Sequence, residues 1–121
     1  MIEFNNRVFT SVSSSKNAEV NGETIFYYHQ EGANITAQYK GGIIRDGQIV
    51  GTITDESRLE FRYQHMNIRG EFMTGVCFAT PEVLPDGRIR LYEKWQWTCG
   101  DYSKGESVVE EIQPVIAMEE K

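Results

Sequence analysis

The stretch Asp86-Gly-Arg-Ile-Arg-Leu-Tyr-Glu-Lys-Trp-Gln-Trp97 decides the fold. Its Asp-Gly pair supplies the positive φ of a tight hairpin turn, and the residues that follow alternate in character. Successive side chains of a strand point to opposite faces, so Ile89, Leu91, Glu93, Trp95 and Trp97 share one face while Arg88, Arg90, Tyr92, Lys94 and Gln96 share the other. One strand thus carries a carboxylate in the middle of an apolar, tryptophan-rich face. A barrel interior that holds a polar group reads this way, although the pattern names neither a ligand nor a reaction.

Working outward, turn signals recur at Asn21-Gly22, Glu31-Gly32, Asp46-Gly47, Arg69-Gly70, Pro85-Asp86-Gly87, Gly100-Asp101 and Gly105. The segments between them have strand length and are rich in β-branched and aromatic residues. Strands are expected over Arg7 to Val12, Glu23 to Gln30, Asn34 to Lys40, Gly42 to Arg45, Gln48 to Thr54, Arg58 to Met66, Glu71 to Thr80, Arg88 to Thr98 and Ser107 to Ile112. The connections are too short for crossover helices. A meander of hairpins has exposed edges unless it closes on itself, so the expected fold is all-β: one antiparallel meander closing into a small up-and-down, calycin-like β-barrel of about eight to nine strands. Residues 1–121 are read as one barrel domain, with 113–121 as a tail that is disordered or forms a short helix over Val115 to Glu120.

A net charge of −6 lacks the clustered positive field that phosphate contacts need, so nucleic acid is not an expected partner. No apolar run approaches the length of a bilayer-crossing helix, and no membrane partner is expected. The first residues, Met-Ile-Glu-Phe-Asn-Asn-Arg, have neither the basic start nor the apolar stretch of a secretion signal. A cytoplasmic location is expected, with Cys77 and Cys99 as reduced thiols.

Glu93 is the first candidate for chemistry. Between Leu91 and Trp95, desolvation raises a carboxyl pKa, whereas an arginine or a ligand donor lowers it. It fits a poised acid or a ligand clamp; the alternatives are an ion pair with a neighbouring arginine, a place at the wet mouth of the barrel, or an outward turn at a bulge. Tyr63 and His65 follow, because Leu59, Phe61, Tyr63 and His65 share a face that runs from apolar to titratable, as a pocket with an open mouth would. His65 fits a general base or a donor to an anionic ligand, and equally a solvent-exposed strand end. Trp95, Trp97, Phe61, Tyr63, Phe72 and Phe78 could line an aromatic cavity or simply fill the core. Arg62 and Arg88 are the candidate charge partners. The two histidines, His29 and His65, have no metal-ligand spacing, so neither a metal nor a cofactor is expected. Cys77 becomes a nucleophile only if a histidine lies across the sheet from it.

The motifs Phe72-Met-Thr-Gly-Val-Cys77, Pro81-Glu-Val-Leu-Pro-Asp-Gly-Arg-Ile-Arg-Leu-Tyr-Glu-Lys-Trp-Gln-Trp-Thr98 and Gly105-Glu-Ser-Val-Val-Glu-Glu111 resemble a family of short bacterial proteins labelled N-acetylglutamate synthase, over about Asn5 to Ile112. That label implies acetyl transfer. The glycines of this chain, however, sit in hairpin signals with no helix after them, so the usual loop for a coenzyme pyrophosphate is missing, and the resemblance implies a compact β protein. Three functions compete. The first is a small-molecule-binding barrel using Tyr63, His65, Glu93, Trp95 and Trp97, with Arg62 or Arg88. The second is an enzyme with Glu93 or His65 as acid or base. The third is an interaction module or homodimer.

Overall fold

The computed structural model describes residues 2–112. The tail, with its expected helix over Val115 to Glu120, lies outside the described residues. Eight strands follow in order: β1 (Val8–Ser14), β2 (Ile25–Glu31), β3 (Asn34–Gly41), β4 (Ile44–Ile53), β5 (Leu59–Asn67), β6 (Phe72–Val83), β7 (Ile89–Trp97) and β8 (Lys104–Glu111). Each pairs antiparallel with the next, and β8 returns to β1 to close the barrel. Closure leaves no ladder edge exposed, which is the outcome the meander requires.

Two expected strands, Gly42 to Arg45 and Gln48 to Thr54, merge into β4 because Asp46-Gly47 is not a turn. The chain reverses earlier, at Gly41 and Gly42, whose φ values of 116° and 65° suit glycine. Gly47 instead lies opposite Tyr39 in the ladder, as Gly75 lies opposite Tyr63 and Gly105 opposite Trp95. A Cβ at any of the three would run into the facing ring. Each glycine lets an aromatic side chain lie flat on the barrel wall. Gly105, expected in a turn, is for that reason part of β8.

The two ends of the barrel are sealed differently. At one end the segment before β1 folds inward and Phe4, fully buried, packs on Phe9 and Tyr28 with ring centroids 6.4 and 6.1 Å away. Its backbone N–H donates to Gln30 Oε1 at 2.7 Å, so the plug is anchored as well as apolar. Leu59, Ile89, Leu91 and Val109 complete this dry half of the core. At the other end, residues 15–24 form the longest connection and cross the mouth.

Outward positions are mostly polar, as with Thr36, Gln38 and Lys40 on β3 and Lys94 on β7, the reverse of a lipid-facing strand pattern. Among the described residues no helix is long and apolar enough to cross a membrane.

Candidate functional site

The inward faces of β7 and β5 build the site. On β7, Ile89, Leu91, Glu93, Trp95 and Trp97 are all buried, so the alternation read from the sequence holds along the whole strand. On β5, Leu59, Phe61, His65 and Asn67 are buried and Tyr63 is half-buried, running from the dry half toward the mouth. These strands surround an interior cavity of about 50 Å³, lined by Glu93, Trp95, Trp97, Tyr63, His65 and Tyr39 among others. That volume takes a few water molecules or a small polar head group and falls well short of a drug-sized ligand.

Glu93 faces this cavity with no hydrogen bond to any described residue. Burial alone pushes its carboxyl up to about 8, because no donor or cation offsets the loss of hydration. At pH 7 the group is therefore mostly protonated and presents one O–H donor and one carbonyl acceptor. Tyr28 lies nearby: its buried hydroxyl also has no partner among the described residues, and burial followed by the charge of Glu93 raises its pKa. Tyr63 is raised by burial first and then by Cys77 and Glu93. Both phenols stay neutral and can donate.

His65 is 2% exposed and lies between two partners. Tyr39 Oη is 2.7 Å from Nδ1, and Glu19 Oε1 is 2.9 Å from Nε2. Burial raises Tyr39 and lowers His65, the latter against an opposing pull from Glu19. A phenol that keeps its proton donates to Nδ1, so a neutral imidazole carries its proton on Nε2 and donates it to Glu19. The Glu19 carboxylate also receives Asn67 Nδ2 at 3.2 and 3.3 Å and one Arg69 terminal nitrogen at 3.2 Å. It comes from the crossing connection, 46 residues before His65.

The indole N–H groups are both used by the protein. Trp95 Nε1 donates to Ser107 Oγ at 2.9 Å, which continues to Ser14 and Ser11 through hydroxyl contacts of 3.1 Å. Trp97 Nε1 donates to the Asn17 carbonyl at 3.1 Å, tying the crossing connection to the wall. The rings meet edge to face, with centroids 5.5 Å apart. Their N–H groups fix them in place as rigid walls.

Of the expected site residues, Tyr63, His65, Glu93, Trp95 and Trp97 converge. Arg62 and Arg88 do not. Arg62 is exposed on the outer face of β5, and Arg88 binds Asp86 at 2.7 Å and reaches Glu110 at 3.5 Å outside the barrel. Each has the parity opposite to its inward neighbours, so the wall separates it from Glu93. Phe72 and Phe78, proposed as cavity lining, are 62% and 58% exposed on the outer face, while Gly75 and Cys77 take the inward positions. His29 is exposed on the outer face of β2, so the two histidines do not meet. Cys77 has Phe61 and Trp95 as ladder partners, and burial followed by the charge of Glu93 holds it protonated, unlike a nucleophile. Glu19, Asn67, Tyr39 and Tyr28 were not read from the sequence. Tyr39 and Asn67 share inward parity on their strands, a usable signal; Glu19 sits in an irregular segment that offers none.

Compared with curated proteins and with solved structures, the chain finds no match in either. The family profile described as avidin-like protein matches residues 2–112. That span takes in the whole barrel, from the plugging segment through β8, and so the chain belongs to the avidin-like protein family.

Proposed function

We propose that the protein binds a small molecule inside the barrel, with Glu93 as the deep anchor. One observation carries this reading: a buried carboxyl faces a cavity and has no hydrogen-bond partner among the described residues. A buried polar group left in this state costs about 1–3 kcal/mol, and a ligand that satisfies it recovers that cost. As a neutral acid Glu93 complements a group with an adjacent acceptor and donor, which describes a lactam, a cyclic urea or a primary amide. Trp95, Trp97 and Tyr63 supply flat walls. Membership of the avidin-like family supports binding over catalysis and lends no support to acetyl transfer.

The test is calorimetry with small lactams and cyclic ureas, biotin among them. Affinity should hold below pH 7 and fall about tenfold per pH unit above about 8, as Glu93 loses the proton it donates. Glu93→Gln, which keeps a donor and an acceptor, should bind without that pH dependence, and Glu93→Leu should not bind. A Glu93→Leu variant that binds as well as the parent removes the reading.

Self-association is a second proposal, supported by Val50 and Phe78, both more than half exposed beside Val76 on the outer wall of β4 to β6. Native mass spectrometry of the purified protein reads it together with any bound small molecule. A cytoplasmic location is also proposed, supported by two unpaired cysteines.

A further inference from the structure

We propose that the outer wall of the barrel carries a second binding site, a cross-strand row of Tyr27, Gln38, Gln48, Gln64 and Thr74 that takes an extended, β-1,4-linked chain of acidic sugars. The row lies across the wall from the interior cavity and is independent of the reading for Glu93.

The ladder sets the row. Tyr27 pairs with Gln38, Gln38 with Gln48, Gln48 with Gln64 and Gln64 with Thr74, so five outward side chains from β2 to β6 stand side by side. Neighbouring strands are about 4.8 Å apart, and outward side chains on a convex wall spread somewhat further. A β-1,4-linked pyranose chain advances by a similar length per ring, so one sugar can meet one strand. No member of the row is charged, although the chain as a whole has a net charge of −6. Each glutamine offers an amide donor and a carbonyl acceptor, the pair that adjacent sugar hydroxyls require. The contact from Gln64 Nε2 to Gln48 Oε1 is long, at 3.4 Å, and leaves Gln64 Oε1 and the Gln48 amide hydrogens to a ligand. Tyr27 ends the row on one side at 43% exposure, and Phe72, 62% exposed, flanks the other. Both are rings on which the C–H face of a sugar can stack.

Two irregularities shape the wall beside the row. The β3–β4 ladder shifts register between Tyr39 and Gly41, and the β4–β5 ladder between Ile44 and Asp46. At the second shift two successive residues, Arg45 and Asp46, are exposed where a regular strand would turn only one outward. Arg45 and Lys40 then edge a cleft of about 740 Å³ whose lining includes Tyr27, the three glutamines and Phe72. Neither cation has an ion-pair partner among the described residues. Asp46 is the one carboxylate among the described residues of the cleft. Two cations against one acid give the cleft a positive balance that a carboxylate on the sugar matches, which selects a uronate over a neutral ring.

The test titrates the protein with a hexamer of β-1,4-linked glucuronate, against cellohexaose, which has the same linkage and no charge. The side-chain amides of Gln38, Gln48 and Gln64 and the two indole N–H groups are followed together by nitrogen-15 NMR. Saturable shifts of the three glutamine amides are expected with the uronate, while both indoles, on the inner face, stay in place. Cellohexaose should bind at least about threefold more weakly, and so should the uronate to a Lys40→Gln/Arg45→Gln double variant. Gln48→Ala and Gln64→Ala each remove one hydrogen-bonding side chain from an exposed position and should weaken binding about two- to tenfold. Glutamine amides that do not respond to the uronate overturn the proposal, as does equal binding of cellohexaose. Indole shifts without amide shifts put the sugar inside the barrel and overturn it as well. Native mass spectrometry of the same sample covers the other occupant: a parent dimer that Gln48→Arg dissociates assigns the row to a second copy of the chain and overturns the glycan site.

Discussion

Replacing Glu93 by glutamine should change how stability depends on pH more than any other single substitution in the barrel. The folded carboxyl titrates at about 8 against an ordinary value of 4.5. A raised acid binds its proton more tightly in the folded state than in the unfolded chain. Between these values the folded state holds more protons, so stability falls as pH rises through the interval. At ~1.4 kcal/mol for each pH unit, the whole interval amounts to about 5 kcal/mol. That is a large fraction of the ~5–15 kcal/mol of an ordinary domain. His65 acts oppositely: its folded pKa is lowered, so its contribution is lost on acidification below about 6.5. Above pH 6.5 the Glu93 effect is separable, and the difference between parent and Glu93→Gln should widen by about 2 kcal/mol from pH 6.5 to pH 9, in favour of glutamine. Urea unfolding of both proteins across that range measures it, and parallel profiles would refute the claim that Glu93 is buried without a partner. Carbon-13 NMR of the carboxyl gives the independent check, a titration near 8 in place of one near 4.5.

Phe4→Ala should lower stability by about 3–5 kcal/mol by unplugging the dry end, with a matching drop in the urea midpoint. Gly105→Ala should cost about 1–3 kcal/mol, because the new methyl drives Trp95 off the wall; it should also weaken lactam binding, which calorimetry on the folded variant reads. Phe78→Ser on the outer wall should abolish any dimer seen by native mass spectrometry while leaving the unfolding midpoint nearly unchanged.

The barrel was legible because its inward strand faces alternate cleanly, and β7 carries its pattern from Ile89 to Trp97 without a break. The apolar-to-polar gradient of β5 was legible for the same reason. Glycine was the ambiguous letter. Gly47 and Gly105 look like turns in sequence, yet their use is to admit the Tyr39 and Trp95 rings, and only the facing strand discloses that. Parity alone places Phe72 and Phe78 opposite Gly75 and Cys77, but without the closed ladder it does not say which set is inside. Charge makes Arg62 and Arg88 candidates, but their parity sets them across the wall from Glu93. Glu19 had no local signal, since what makes it part of the site is a contact 46 residues away.

The chain has two tryptophans, and both line the cavity. Indole emission from this protein is consequently a report on the site alone, with no background from elsewhere in the fold. Trp95 sits on the inner wall with its N–H held by Ser107, so it senses what stands beside Glu93. Trp97 is tied to the Asn17 carbonyl, so release of that bond shifts its emission toward that of a water-exposed indole. Stopped-flow fluorescence on the unlabelled protein can therefore follow the two ends of the cavity separately as it fills, with Trp95→Phe and Trp97→Phe assigning each signal to its ring.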